Sequence, residues 1–468
     1  MISARYGVFG ALPLHGRCQR SAMKCPPLPL QRCVSIRRPV FIAILIGLAV
    51  NPAPVALAAG DWLDNWQMWG SVGYLGNANR LKDAVRETQN LSTWSTAQEL
   101  FLTGDARYGS RGKFAFDLSQ LVGNTESEGR NNTEFSVTEL YADPVSVESG
   151  SLSLRIGRQR LKWGVMEFFQ PIDTLEEQKN PFRARQVIKG LDALKASYIS
   201  SPSLSGTFLT IRDRDEDAAR FALRLDTVVN DFDVSAGLIS YFQTEAENRG
   251  DSPGLRTARE TEYALFFETA GFIDELGIFG EAQLSSSRNM AFAFTDGAGN
   301  ATALSDPDFS STPVFRGAVA LQYERFQVPA FKIRGEYFYN SGGFDSDESK
   351  AFLAAYQQYP SFYLYPRFGE FGWYSRHYAA LALSNVELAE HLKFGGKLAT
   401  ALDSGAAIFS ADLTYSFDNN NGQVFLQYTY FDSFRDSGRF PGETAFLQSD
   451  HGLTLYLAWN FSPTGSGR

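Results

Sequence analysis

Cysteine is almost missing: the 468-residue chain has 3, and Cys18, Cys25 and Cys33 all lie near its start. That excludes a small secreted domain stapled by disulfides. Histidine is nearly as scarce, with 4 in all. His377, His391 and His451 each open a segment of alternating polarity, with no Ser-His or His-rich metal spacing around them. Nucleophilic catalysis needs a nucleophile, a base and an orienting group together, and nothing in the chain signals such a set. No Gly-rich phosphate loop and no C-x-x-C-H haem motif occurs either. The chain is therefore expected to be no enzyme and to carry no cofactor and no metal.

Long apolar runs are also lacking. The one candidate, Val40–Val50, is too short to span a bilayer as a helix, which excludes a helical membrane protein. Arg37 and Arg38 precede it and Ala56-Leu57-Ala58 follows. Basic flank, apolar core and small-residue exit describe a secretory signal peptide. Residues 1–59 are read as that leader, with Met23 an alternative start. All three cysteines and seven basic side chains fall within it, and no acid does. Of 43 basic and 52 acidic residues, the part from residue 60 keeps 36 and 52, a net of −16. Such a chain has no global attraction for nucleic acid.

What is present is aromatic side chains, 38 Phe and 20 Tyr, and alternation. Phe409, Ala411, Leu413, Tyr415 and Phe417 share one face, with Ser410, Asp412, Thr414 and Ser416 on the other. Leu453, Leu455, Leu457, Trp459 and Phe461 repeat the pattern, and Lys332, Arg334 and Glu336 form the polar face of another segment. Period two means strands with one oily and one wet face. About eighteen such segments occur, starting near Trp66, Ser95, Lys113, Thr133, Ser151, Leu191, Leu204, Ala218, Phe232, Glu260, Leu276, Pro313, Phe331, His377, His391, Ala406, Gln423 and His451. Most are long enough for a tilted strand to cross a bilayer. Short and long connections alternate, as at the two rims of an outer-membrane barrel. A soluble β-sandwich can show the same alternation, but its strands are usually shorter. The predicted fold is thus all-β: a closed antiparallel transmembrane barrel over 60–461, with short periplasmic turns, long extracellular loops and a tail at 462–468.

Two stretches carry a family resemblance. Tyr456–Phe461 (YLAWNF) resembles the terminal strand by which Gram-negative outer-membrane proteins are recognised for assembly. Leu154–Gly164 (LRIGRQRLKWG), Phe168–Asp173 (FFQPID) and Asn180–Phe182 (NPF) resemble a pattern found in proteobacterial porin-like barrels, a group that includes alginate-export-type channels. The resemblance implies an outer-membrane channel passing a hydrophilic solute. It implies outer-membrane lipid and the barrel-assembly machinery as partners, and leaves the oligomeric state open.

Candidate site residues cluster around that pattern. Arg155 is expected to face the lumen. Unbroken alternation would then send Arg158, Arg160 and Lys162 into lipid, where a cation costs about 2–4 kcal/mol at the midplane. Either a bulge at Gly157 shifts the phase, turning the three cations inward and Leu161 and Trp163 outward, or the strand has left the membrane by Gly157. The connection that follows, 164–190, is long enough to fold into the lumen and, with the lumen charges, is expected to set selectivity. With Asp173, Glu176, Glu177, Arg183, Arg185 and Lys189 it would form a charged constriction, to which Arg334 and Glu336 are further pore-lining candidates. Tyr363, Tyr365, Trp373 and Tyr374 belong to an aromatic loop able to stack on sugar rings or to pack on itself. The expected function is diffusion of small or extended hydrophilic solutes, anionic or sugar-like. The alternative is a non-conducting barrel that binds or helps assemble a surface polysaccharide.

Overall fold

The alternating segments form strands. The computed structural model describes residues 66–81, 94–108, 112–123, 131–146, 151–172, 175, 180–213, 218–243, 262–286, 292–295, 301–305, 313–327, 329–343, 375–417, 422–433 and 449–461. All belong to the compact unit Leu48–Arg468, and the other unit, Met1–Gly47, contains none of them. The expected leader and tail lie outside the described residues.

The first half of the chain gives β1 (Trp66–Leu81), β2 (Trp94–Tyr108), β3 (Gly112–Gly123), β4 (Asn131–Ser146), β5 (Leu152–Gln159), β6 (Leu191–Ser201), β7 (Leu204–Asp213), β8 (Ala218–Val229) and β9 (Phe232–Gln243). The second half gives β10 (Glu262–Ile273), β11 (Leu276–Ser285), β12 (Phe292–Thr295), β13 (Ala301–Ser305), β14 (Val314–Arg325), β15 (Phe331–Asn340) and β16 (His377–Ala389). The last four are β17 (Leu392–Ala401), β18 (Ala406–Ser416), β19 (Gly422–Ser433) and β20 (Ser449–Phe461). Eighteen make one antiparallel sheet in which each strand pairs with its neighbours in sequence, β11 passing directly to β14. β12 and β13 form a separate two-stranded sheet. They occupy a stretch that alternation assigns to a loop, because strands so short carry too few repeats to register.

The sheet closes. β20 pairs with β19 on one side and with β1 on the other, from Gly70↔Phe461 to Arg80↔His451. Gly73 permits this seam, since a Cβ there would stand 2.2 Å from the Leu457 carbonyl oxygen and 2.4 Å from the Phe101 ring. Closure removes the free edges and pairs backbone groups that hydrocarbon cannot solvate. Successive strands at one rim are joined by two residues at Pro202-Ser203, Asn230-Asp231, Asp274-Glu275 and Glu390-His391. Asn230 and Asp231 both have positive φ (48° and 67°), as a tight hairpin turn matching strand twist requires.

The two faces differ as alternation predicts. On β14, Phe315, Val319, Leu321 and Tyr323 are exposed, Val319 by 59%, whereas Arg316, Ala318, Ala320 and Gln322 are buried on the inner side. Leu223, Leu265, Phe267, Leu381, Leu426 and Leu455 continue the outer belt around the ring. Full burial of one such side chain is worth about 1.5–3 kcal/mol, so this belt is an outer surface suited to hydrocarbon.

Candidate functional site

The site is built from the end of β5 inward. Residues 152–159 keep register with β6 throughout, Arg155 opposite Lys195 and Arg158 opposite Asp192. Arg155 faces inward, held by both Asp143 carboxylate oxygens at 2.7 and 2.9 Å and stacked on Tyr141 at 3.9 Å. Gly157 does not shift the phase. The irregularity in the β4–β5 pairing falls between Ala142 and Val145. Gly157 instead answers a close approach, with φ 124° and a virtual Cβ 2.3 Å from the Leu140 carbonyl oxygen. Arg158 therefore shares the outer face with exposed Leu140. This corrects the inward placement of Arg158. An outward cation is tolerable here because Asp192, one strand away, accepts from its Nε at 3.0 Å and its Nη2 at 3.3 Å.

After Gln159 the chain leaves the wall and enters the barrel. The Val165 and Met166 amides donate to Glu281 Oε1 of β11, and those of Glu167, Phe168 and Phe169 donate to the Glu336 carboxylate of β15 at 2.8–3.3 Å. Arg334 Nη2 donates to the Val165 carbonyl at 2.8 Å, and Lys332 pairs with Glu167. Farther on, Arg220 of β8 donates to the Leu175 carbonyl and Lys397 of β17 to that of Pro181. Arg185 binds Glu99 of β2 and Asp117 of β3, and Gly190 N donates to Thr138 of β4. Only a segment inside the closed ring reaches inward side chains of β2, β3, β8, β11, β15 and β17.

Apolar packing seats the loop. Leu161, Trp163, Ile172 and Leu175 cluster with Leu209, Ile211, Ile239 and Phe266, which are inward-facing wall residues. Leu161 and Trp163 thus lie inside, against the outward expectation. Met166, Phe168, Phe169 and Phe182 pack on a wall of small residues: Ala318, Ala320, Ala380, Ala382, Ala399 and Ala401. Phe169 stacks on Phe338 at 5.3 Å. The porin-like sequence pattern proves to be the scaffold of this loop. A Cβ on Gly164 would stand 2.8 Å from Glu281 Oε1, and Gly164 has φ 103°. Gln159 is buried and donates to the Ala193 carbonyl at 3.1 Å, while the Asn180 side chain accepts from the Phe182 amide at 2.9 Å.

Between the segment 185–188 and strands β1 to β4 lies a chamber of about 630 Å³. Asp105, Lys113, Asp117, Glu139, Arg160 and Arg185 are among its lining residues. Lys113 sits between Asp105 and Glu139, as Arg185 does between Glu99 and Asp117. Arg160, Lys162, Arg183 and Lys189 are exposed. Arg334 and Glu336 face inward but are sealed beneath the loop, their side chains 6% and 0% exposed, and bond each other at 2.7 Å. They hold the loop and do not touch open water, a departure from their expected pore-lining place. Asp173, Glu176 and Glu177, like Tyr363, Tyr365, Trp373 and Tyr374, lie outside the described residues.

Sequence reasoning missed Glu281 and the acids and lysine of β2 to β4. Alternation assigns them to the wet face, but no local signal marks which of them meets the loop.

No family model matches the chain, and no curated protein does. Among solved structures, OccK7 (OpdD) of Pseudomonas aeruginosa is similar at 12% identity, covering 85% of this chain and 99% of that one, with a TM-score of 0.48. OccAB1 of Acinetobacter baumannii is similar at 11% identity, covering 87% and 99%, also with a TM-score of 0.48. The decisive features are the chain's own closed seam and apolar belt. It is a closed 18-strand antiparallel β-barrel with an apolar outer belt.

Proposed function

We propose that this barrel is a passive channel for small or extended hydrophilic solutes, anionic or sugar-like, with selectivity set by the 160–190 loop and the charged chamber beside it. One observation carries the reading: a wall-to-wall loop narrows the lumen and borders a chamber of about 630 Å³ lined by charged side chains. Such a space is wet, and charges at a constriction select permeants through their local field. The exposed charges on the described part of the loop are Arg160, Lys162, Arg183 and Lys189, and this supports a preference for anions. No bond is made or broken; the barrel supplies access and the loop supplies selection.

The test is the reversal potential of the refolded protein in a planar bilayer under a salt gradient. Anion preference supports the reading. Cation preference overturns the selectivity, and absence of discrete open steps at every voltage overturns the channel itself in favour of a non-conducting polysaccharide binder.

A further inference from the structure

Three charged residues stand side by side on the outer face of the barrel. Arg158 of β5 pairs in register with Asp192 of β6, and Asp192 with Arg212 of β7. Arg212 is exposed, Arg158 and Asp192 are partly exposed, and Ile211 beside Arg212 is buried on the inner face. The rows beneath carry no charge: Ile156, Leu194 and Thr210, then Leu154, Ala196 and Phe208. Asp192 accepts from Nε and Nη2 of Arg158. Two guanidiniums against one carboxylate still leave the row positive.

Height decides what this row meets. Asp192 lies ten residues before Pro202 and Arg212 nine after Ser203, the two-residue turn that joins their strands. Strands rising about 3.3 Å per residue at a tilt of about 40° put the row about 25 Å above the turn, the height of the apolar band of such barrels. Exposed aromatics mark the same level farther around the ring. Tyr263 lies eleven residues before Asp274, and Phe315 pairs with Leu284, nine residues after Glu275. Phe315 also contacts the Tyr339 ring at 6.3 Å. Such aromatic girdles sit at the headgroups, so the row ends the apolar columns of β5 to β7 where hydrocarbon gives way to lipid phosphate. Guanidinium binds phosphate through paired N–H donors.

We propose that Arg158 and Arg212 form an outer-face site for the phosphate of a lipid headgroup, with Asp192 holding Arg158 against the wall between them. With the two-residue turns on the periplasmic side, the lipid belongs to the outer leaflet. The uncharged rows beneath take its acyl chains. The site lies outside the lumen, so neither conductance nor ion preference bears on it.

Lipid A, a phosphorylated and acylated disaccharide, is the probe. The refolded full chain in detergent micelles, titrated and read by native mass spectrometry, should bind it about tenfold more tightly than fully dephosphorylated lipid A. Arg212→Gln leaves the Arg158–Asp192 pair intact and should remove most of that preference; adding Arg158→Gln should remove all of it. Lys393→Gln deletes the same charge at the rim beside the Glu390-His391 turn, where the side chain is exposed, and should keep the preference. Should the double variant not refold, Arg212→Gln alone decides. Equal binding of the two lipids by the unaltered protein, or a preference undiminished in Arg212→Gln, overturns the site. Inorganic phosphate that displaces lipid A as effectively as a second lipid A does overturns the lipid as its ligand in favour of the free ion.

Discussion

Replacing Glu336 by Ala should release the loop from the wall. Its carboxylate accepts from three consecutive amides, Glu167, Phe168 and Phe169, and from Arg334 Nε at 2.7 Å. A hydrogen bond to a charged group contributes about 1.5–3 kcal/mol, and removing one partner of a buried ion pair costs about 3–5 kcal/mol. The same two oxygens serve all four donors, so these figures overlap; about 5 kcal/mol against docking is the working magnitude. The sheet does not depend on this residue, because β15 keeps its ladders with β14 and β16. Single-channel recording should therefore find open steps that are larger and noisier than those of the unaltered protein, with the barrel still migrating as a folded species on unboiled gels. Limited proteolysis should cut within 160–190 only in the variant. Steps of unchanged size and noise, together with an unchanged cleavage pattern, would refute the claim that Glu336 anchors a constricting loop.

Three other outcomes follow from the same geometry. Gly164→Ala places a methyl group 2.8 Å from Glu281 Oε1 at a φ of 103°; strain of about 1–3 kcal/mol should loosen the same segment and show as faster proteolysis within the loop. Arg158→Ala should leave ion selectivity as it is, because that side chain lies on the outer face, whereas the double variant Arg160→Ala with Lys162→Ala should reduce anion preference in reversal-potential measurements. Leu321→Arg puts a cation on the lipid face and should lower barrel stability in urea titrations by about 2–4 kcal/mol if it lies near the midplane, while Ala320→Gly, one residue away and facing inward, should change it far less.

The barrel was legible because alternation is a local property. The starts read at Leu191, Leu204, Ala218, Phe232, Leu276, Phe331, His377 and Ala406 coincide with the strands observed. The loop's seat was not legible, since Val165 and Glu281 lie 116 residues apart and nothing near either one announces the other. Arg158 shows a different failure. Three lipid-facing cations are too costly, but Asp192 answers the one that does face outward, across a strand pair whose register the sequence alone does not supply. Leu209, Ile211 and Ile239 also blur the pattern: they are apolar on the inner face because the loop's own Leu161, Trp163 and Ile172 cover them. Alternation assigns Arg334 and Glu336 to the inner face they occupy, yet a wet face covered by a docked segment is no longer wet.

The claim that the 160–190 segment stands in the water path can be tested by modifying one atom. The described barrel contains no cysteine, so Lys162→Cys introduces a single thiol there. A bulky, charged thiol reagent added to one open channel should lower its current in a single irreversible step, and have no effect on the protein without the substitution. Complete labelling of the thiol with the current unchanged would contradict a constriction at this loop.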